Sequence, residues 1–260
     1  MIPNMLTTFA LCAGLTALRF ALEGRLEHAV TALVIAALLD VFDGRIARML
    51  NQTSNFGAQL DTLSDFLSFG IVPAAMLYMW TLNGIGLAGW ALALVFCVCC
   101  ALRLARFNAE LDDPKRSPEA RNYFVGVPSP VGAGLVLMPL VISFHDGNRL
   151  AALFDEPLVV GAFVVIVSGL MVSNLPTFSF KQVRISHRYR LPAMLGVAIF
   201  AAASVSEPWS TLTVVLVAYL LSLPFGWFAY QKLLAREAAE EAENKVGEAV
   251  PFKIVEEGGK

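Results

Sequence analysis

Charge is scarce in this chain. Charged residues make up only 15% of its 260 residues, and there are just three histidines and four cysteines. Acidic side chains are missing altogether from 85–102 and from 209–230. The charge deficit, with 57% hydrophobic residues and a mean hydropathy of +0.65, excludes an ordinary water-soluble domain and points to an integral membrane protein. The near balance of sign, net −2, leaves no basic field to attract nucleic acid. His28, His145 and His187 are scattered at segment ends and form no metal-ligand pattern. Cys12, Cys97, Cys99 and Cys100 sit in apolar segments without the two CxxC units of a zinc site, so they read as small hydrophobes between helices. No separate cleavable leader stands out: the stretch from Met5 to Leu22 is long enough to stay as a helix, and Arg19 lies within it rather than before it.

What the chain does have is apolar length. About eight segments can be read, near 5–22, 28–43, 60–80, 85–105, 128–145, 157–173, 191–206 and 209–230. The expected fold is therefore all-α, a polytopic transmembrane helical bundle over residues 1–231, followed by a charged cytoplasmic tail over 232–260. Several segments fall short of about twenty residues, which implies tilt or local membrane thinning. Pro3, Pro128, Pro157 and Pro208 lie near segment starts, where a missing N–H costs least. One set of loops carries Arg45, Arg48, Arg103, Arg106, Lys115, Arg116, Arg121, Lys181, Arg184, Arg188 and Arg190, whereas the other carries only Arg25 and Arg149. Positively charged loops stay on the cytoplasmic side, so both termini are expected there. Residues 232–245 read as a short solvated helix, and the rest of the tail as disordered.

The scarce charge is not spread evenly. Asp40-x-x-Asp43-Gly44-x-x-Ala47-Arg48 is followed, after a gap of eight residues, by Gly57-x-x-x-Asp61-x-x-x-Asp65. These carboxylates lie at the edges of membrane-length apolar segments, where each ionised aspartate costs up to roughly 2.5–3.5 kcal/mol at bilayer centre and less near the interface. A single one would read as a helix-end charge; four in this register call for compensation. Asp40 and Asp43 are one turn apart, and Gly57, Asp61 and Asp65 repeat every four residues on one helix face. Two helices so arranged can enclose one or two hard divalent cations, Mg²⁺ or Mn²⁺, through oxygen ligands. Gly44 and Gly57 stand where a bulky ligand would need close backbone approach, and Arg48 can pair with phosphate oxygens. A metal pair at lipid depth suits phosphoryl chemistry on a substrate whose tail lies in the bilayer.

Asp40, Asp43, Gly44, Ala47, Arg48, Gly57, Asp61 and Asp65 match every fixed position of the CDP-alcohol phosphotransferase signature, and the chain resembles that family. Ile2-Pro3-Asn4-Met5-Leu6-Thr7, Arg103-Leu104-Ala105-Arg106-Phe107-Asn108 and Tyr123-Phe124-Val125-Gly126-Val127-Pro128-Ser129-Pro130 are similar to its membrane-bound bacterial phosphatidylserine synthases, a likeness running from about residue 2 to 230. The resemblance implies a six-helix core, a CDP-linked lipid (here CDP-diacylglycerol), two divalent cations, L-serine as the attacking alcohol, release of CMP, a homodimer and a bacterial inner-membrane location. It implies Asp40, Asp43, Asp61 and Asp65 as metal ligands, with Asp65 also the catalytic base. Asn4, Thr7, Gly44, Ala47, Arg48 and Gly57 would border the CDP-lipid.

The acceptor is read from less specific motifs. Serine needs a cation for its carboxylate, and Arg103 and Arg106, near the end of the fourth segment, are candidates; the alternative is that they are topology anchors. The cluster from Lys181 to Arg190 reads as topology and headgroup attraction. The stretch from Tyr123 to Pro130 reads either as a re-entrant turn against the site or as a plain helix start. Sibling enzymes using glycerol 3-phosphate, inositol phosphate or choline are the nearest alternatives. A divalent-cation transporter is the remote one, and it predicts ionisable groups spread through the membrane depth rather than gathered at one face.

Overall fold

A computed structural model of the chain describes residues 2–49, 54–111, 123–145, 154–173, 176–178 and 190–223. The tail over 232–260 and the basic residues from Lys181 to Arg188 lie outside them. The chain begins with α1 (Ile2–Leu22) and α2 (Leu26–Met49), which form the most extensive helix pair in the fold. Small residues of the two helices turn inward: Ala17, Ala21, Ala29, Ala32 and Ala36 are all buried. Many large apolar residues of the same helices, among them Met5, Phe9, Leu15, Ile35 and Leu38, are exposed. A water-soluble fold would reverse this arrangement. In lipid, outward leucine costs nothing, and small inward residues let backbones approach closely.

The next rod runs over Asn55–Trp80 as three pieces: α3 (Asn55–Asp65), a π-turn at Phe66–Ile71 and α4 (Val72–Trp80). Ser54 caps α3 by accepting the Gly57 N–H at 3.0 Å. The π-turn follows from Pro73, which has no N–H and whose ring would collide with the carbonyl four residues earlier; widening the turn relieves both problems. The Val72 N–H accordingly reaches Leu67 O, five residues back. A short 3₁₀ turn at Leu82–Ile85 leads into α5 (Leu87–Leu111).

The expected segment at 128–145 is not one helix. It breaks at Leu137 into α6 (Ser129–Val136) and α7 (Met138–Ser143), because Pro139 favours a new helix start and cannot extend the old hydrogen-bond ladder. Then come α8 (Pro157–Val172), α9 (Arg190–Ser206) and α10 (Pro208–Leu223). Helix α8 packs on α5 and α6. Helix α10 is tied to the end of α7 through His145 Nε2 and Ser210 Oγ at 2.8 Å and an edge-on Phe144–Trp209 contact. Among the described residues, three helices are long and apolar enough to cross a membrane: Asn4–Leu22, Asn55–Trp80 and Leu87–Ala109. Three shorter apolar helices accompany them.

One feature departs from the all-α expectation. β1 (Tyr123–Val125) pairs antiparallel with β2 (Pro176–Phe178), Tyr123 opposite Phe178 and Val125 opposite Pro176. This ribbon fastens the chain before α6 to the chain after α8, and Gly126 ends it. Gly126 has φ 81°, and a Cβ there would meet Met171 O at 2.6 Å and Ser173 O at 2.9 Å. Gly126→Ala is therefore expected to lose about 1–2 kcal/mol from the left-handed backbone alone, before the clash is counted. The melting temperature of the purified protein should fall by several degrees. Gly169→Ala, where nothing lies within 4 Å of the added carbon, should be neutral or slightly stabilising in the same measurement.

Candidate active site

The carboxylates of α2 and α3 converge on one cleft of about 810 Å³. One ligand oxygen each from Asp40, Asp61 and Asp65 lies within 4.8 Å of the other two. Helical periodicity explains the convergence. Asp61 and Asp65 are one turn apart on α3, and Asp40 faces them from α2. At an effective dielectric constant of about 20, unit charges at that spacing repel by about 3.5 kcal/mol per pair. Asp61 Oδ1 and Asp43 Oδ2 are buried without a hydrogen-bond partner among the described residues. Buried, unpartnered carboxylate oxygens in a convergent set are the donors a hard divalent cation takes, so the residues present fit such an ion.

Asp43 lines the same cleft but stands outside the three-carboxylate group. It is 4% exposed, and its carboxylate accepts from the Thr7 hydroxyl and the Gly44 amide. Thr7 is buried in α1, so its contact is with the carboxylate rather than with open cleft. Asn4 and Gly57 meet each other. A Cβ on Gly57 would sit 2.8 Å from Asn4 Oδ1 and 3.1 Å from Ser54 Oγ, so glycine is what lets the start of α3 close on the start of α1. Gly44 differs: it lines the cleft with nothing within 4 Å of an added Cβ, leaving its backbone open to a ligand. Ala47 and Arg48 belong to the last turn of α2, and their side chains lie outside the described residues.

The opposite wall comes from α5 and the start of α6. Arg103 is 3% exposed, its Nε donates to Val127 O at 3.0 Å, and its guanidinium lies 5.8 Å from the centre of the Phe107 ring. Arg106, half-buried, is not part of that wall. Residues not singled out as site residues from the sequence also line the cleft: Arg45 and Met49 from α2, Phe107 from α5, and Pro128, Ser129 and Pro130. Of the stretch from Tyr123 to Pro130, residues Tyr123–Val125 form a strand, and Pro128 to Pro130 begin α6 and line the cleft. In the sequence Arg45 reads as a loop charge, because an arginine at a helix end gives no sign of which way it faces.

The chain is similar to known proteins over most of its length. Residues 1–175 match the CDP-alcohol phosphatidyltransferase family, and residues 188–224 match CDP-alcohol phosphatidyltransferase 2. A CDP-diacylglycerol–serine O-phosphatidyltransferase of Mycobacterium bovis is 37% identical over 227 residues, covering 86% of this chain and 77% of the relative. One from Helicobacter pylori is 31% identical over 231 residues, covering 86% and 90%. One from Bacillus subtilis is 31% identical over 181 residues, covering 70% and 92%. The matched region spans both carboxylate-bearing helices and the arginine wall facing them, and the chain belongs to the CDP-alcohol phosphatidyltransferase family.

Proposed function

We propose that this protein transfers the phosphatidyl group of CDP-diacylglycerol to the hydroxyl of L-serine, forming phosphatidylserine and CMP. The observation that carries the reading is one cleft in which a buried arginine faces a convergent set of carboxylates, in a chain whose relatives are named for this reaction. Asp40, Asp43, Asp61 and Asp65 would hold two divalent cations, Mg²⁺ or Mn²⁺. When bound, these supply positive charge against the diphosphate and the departing CMP. Gly44, Ala47 and Arg48 would border the diphosphate, with Asn4 and Gly57 closing the start of α3 on the start of α1 and Thr7 bonded to Asp43.

The protein's own part is to orient and to move one proton. Asp65, at the end of α3 beside the π-turn, would accept the proton of the serine hydroxyl as that oxygen bonds to the β-phosphorus. The bond from that phosphorus to the CMP oxygen breaks, and CMP leaves. Arg103, packed against Phe107 and held by Val127 O, offers its charge to the serine carboxylate. In this reading the bundle has about eight membrane segments with a six-helix core, works as a homodimer in a bacterial inner membrane, and turns the cleft and both termini to the cytoplasm. The deciding experiment incubates purified protein with CDP-diacylglycerol and a panel of alcohols and follows CMP release. Serine should be the acceptor; glycerol 3-phosphate, inositol phosphate or choline in its place would assign a sibling activity.

Three outcomes follow from the site. Asp40→Asn or Asp61→Asn should cut turnover by more than about a hundredfold, beyond the cost of losing a supporting residue, and chelation should silence the wild type; full activity under chelation refutes the metal assignment. Asp65→Asn should keep more CDP-lipid affinity than Asp40→Asn while losing roughly 10²–10⁴-fold in rate, read by pairing nucleotide-binding and turnover assays. Arg103→Gln should raise the serine KM about tenfold to a hundredfold, the effect of one charge-assisted pair. Arg106→Gln should leave that KM near wild type, because Arg106 is outside the cleft wall. Equal effects from both arginines would remove Arg103 from acceptor recognition.

A further inference from the structure

Asn108 and Thr62 meet across the gap between α5 and α3. Asn108 Nδ2 donates to Thr62 Oγ1 at 3.0 Å in a half-buried position. The threonine's own proton goes to Ala58 O at 3.0 Å, so its oxygen is left to accept from Asn108. The bond is thus directional, and an amide N–H₂ is what the geometry requires. Its place in the fold gives it leverage. Helix α3 leans chiefly on α1, and its contact with α5 is slight. Thr62 follows Asp61 directly and precedes Asp65 by three residues. At 100° per residue, both carboxylates lie to the same side of Thr62, so a pin there sets where both point. A rotation of about 20° about the helix axis would carry a carboxylate about 2 Å at a radius of about 6 Å. That exceeds the tolerance of metal coordination, about 0.2 Å.

We infer that Asn108 is a positioning residue whose hydrogen bond to Thr62 fixes the rotation of α3, so that Asp61 and Asp65 converge with Asp40 on a divalent cation. The inference rests on the metal-binding reading of those carboxylates and adds a residue that touches neither metal nor substrate.

The test uses the full-length protein in detergent without substrates. Mn²⁺ is titrated, and the concentration giving half of the metal-induced rise in melting temperature is read. Thr62→Val and Asn108→Ser should each raise that concentration about tenfold, as loss of a supporting contact does at metal sites. Thr62→Ser, which keeps the hydroxyl, should stay near wild type. The Thr62→Val/Asn108→Ser double variant should be no worse than either single, because both remove the same bond. Wild-type Mn²⁺ response in Thr62→Val, equal weakening by Thr62→Ser, or multiplied effects in the double variant would each overturn the inference. If both single variants lose the fold before metal is added, the pair is a general stability element and the inference also fails. A wild type that shows no metal-induced shift refutes the metal reading itself, and this inference with it. A wild-type shift that Thr62→Val leaves unchanged refutes only the role of the pair.

Discussion

Mutual repulsion among carboxylates gathered within 4.8 Å is the constraint around which this protein is arranged. At roughly 3.5 kcal/mol per ionised pair, the cluster opposes folding unless a cation or a proton shared between carboxylates joins it. The surrounding helices therefore have to hold Asp40, Asp61 and Asp65 together against their own charge. The extensive α1–α2 contact does part of this by fixing Asp40 and Asp43 to a rigid pair, with the Thr7 hydroxyl on Asp43. Ser54, Asn4 and Gly57 do another part by docking the start of α3 on the start of α1.

Packing in this fold runs opposite to that of a soluble protein, and the site depends on that inversion. Alanines on α1 and α2 are buried, which suits close helix approach, while Phe9, Leu15 and Leu38 face outward. The α1–α2 pair gives Asp40 and Asp43 a firm base, and the carboxylates that Asp40 meets come from α3. The π-turn after Asp65 performs a related task. It absorbs the defect made by Pro73, so that α3 can direct its carboxylates at the cleft while α4 continues in its own packing register.

Opposite the acid wall, Arg103 illustrates how a charge is kept at this depth. Its stem and guanidinium are buried, one N–H is bound to a backbone carbonyl, and an aromatic ring lies beside it. The Val127 carbonyl that receives this bond is held in place by the Tyr123–Val125 ribbon and the tight backbone at Gly126. The ribbon thus ties the arginine wall to the start of α6 and the end of α8.

The sequence by itself determined the membrane character, the helical class, and the identity of the carboxylates that meet in the cleft. Each of these follows from local properties: hydropathy over twenty residues, and the i,i+3 and i,i+4 spacing of Asp40, Asp43, Asp61 and Asp65. It did not determine that 128–145 breaks at Leu137, that Asp43 sits beside rather than within the three-carboxylate group, or that Arg45, Phe107 and Ser129 join the cleft. It left Arg103 and Arg106 equivalent, since both are arginines near a helix end one turn apart. Only the tertiary structure separates them. Helix α5 turns Arg103 towards Val127 and the cleft and leaves Arg106 outside the wall, because which face of a helix meets which neighbour is settled by packing between elements distant in the chain.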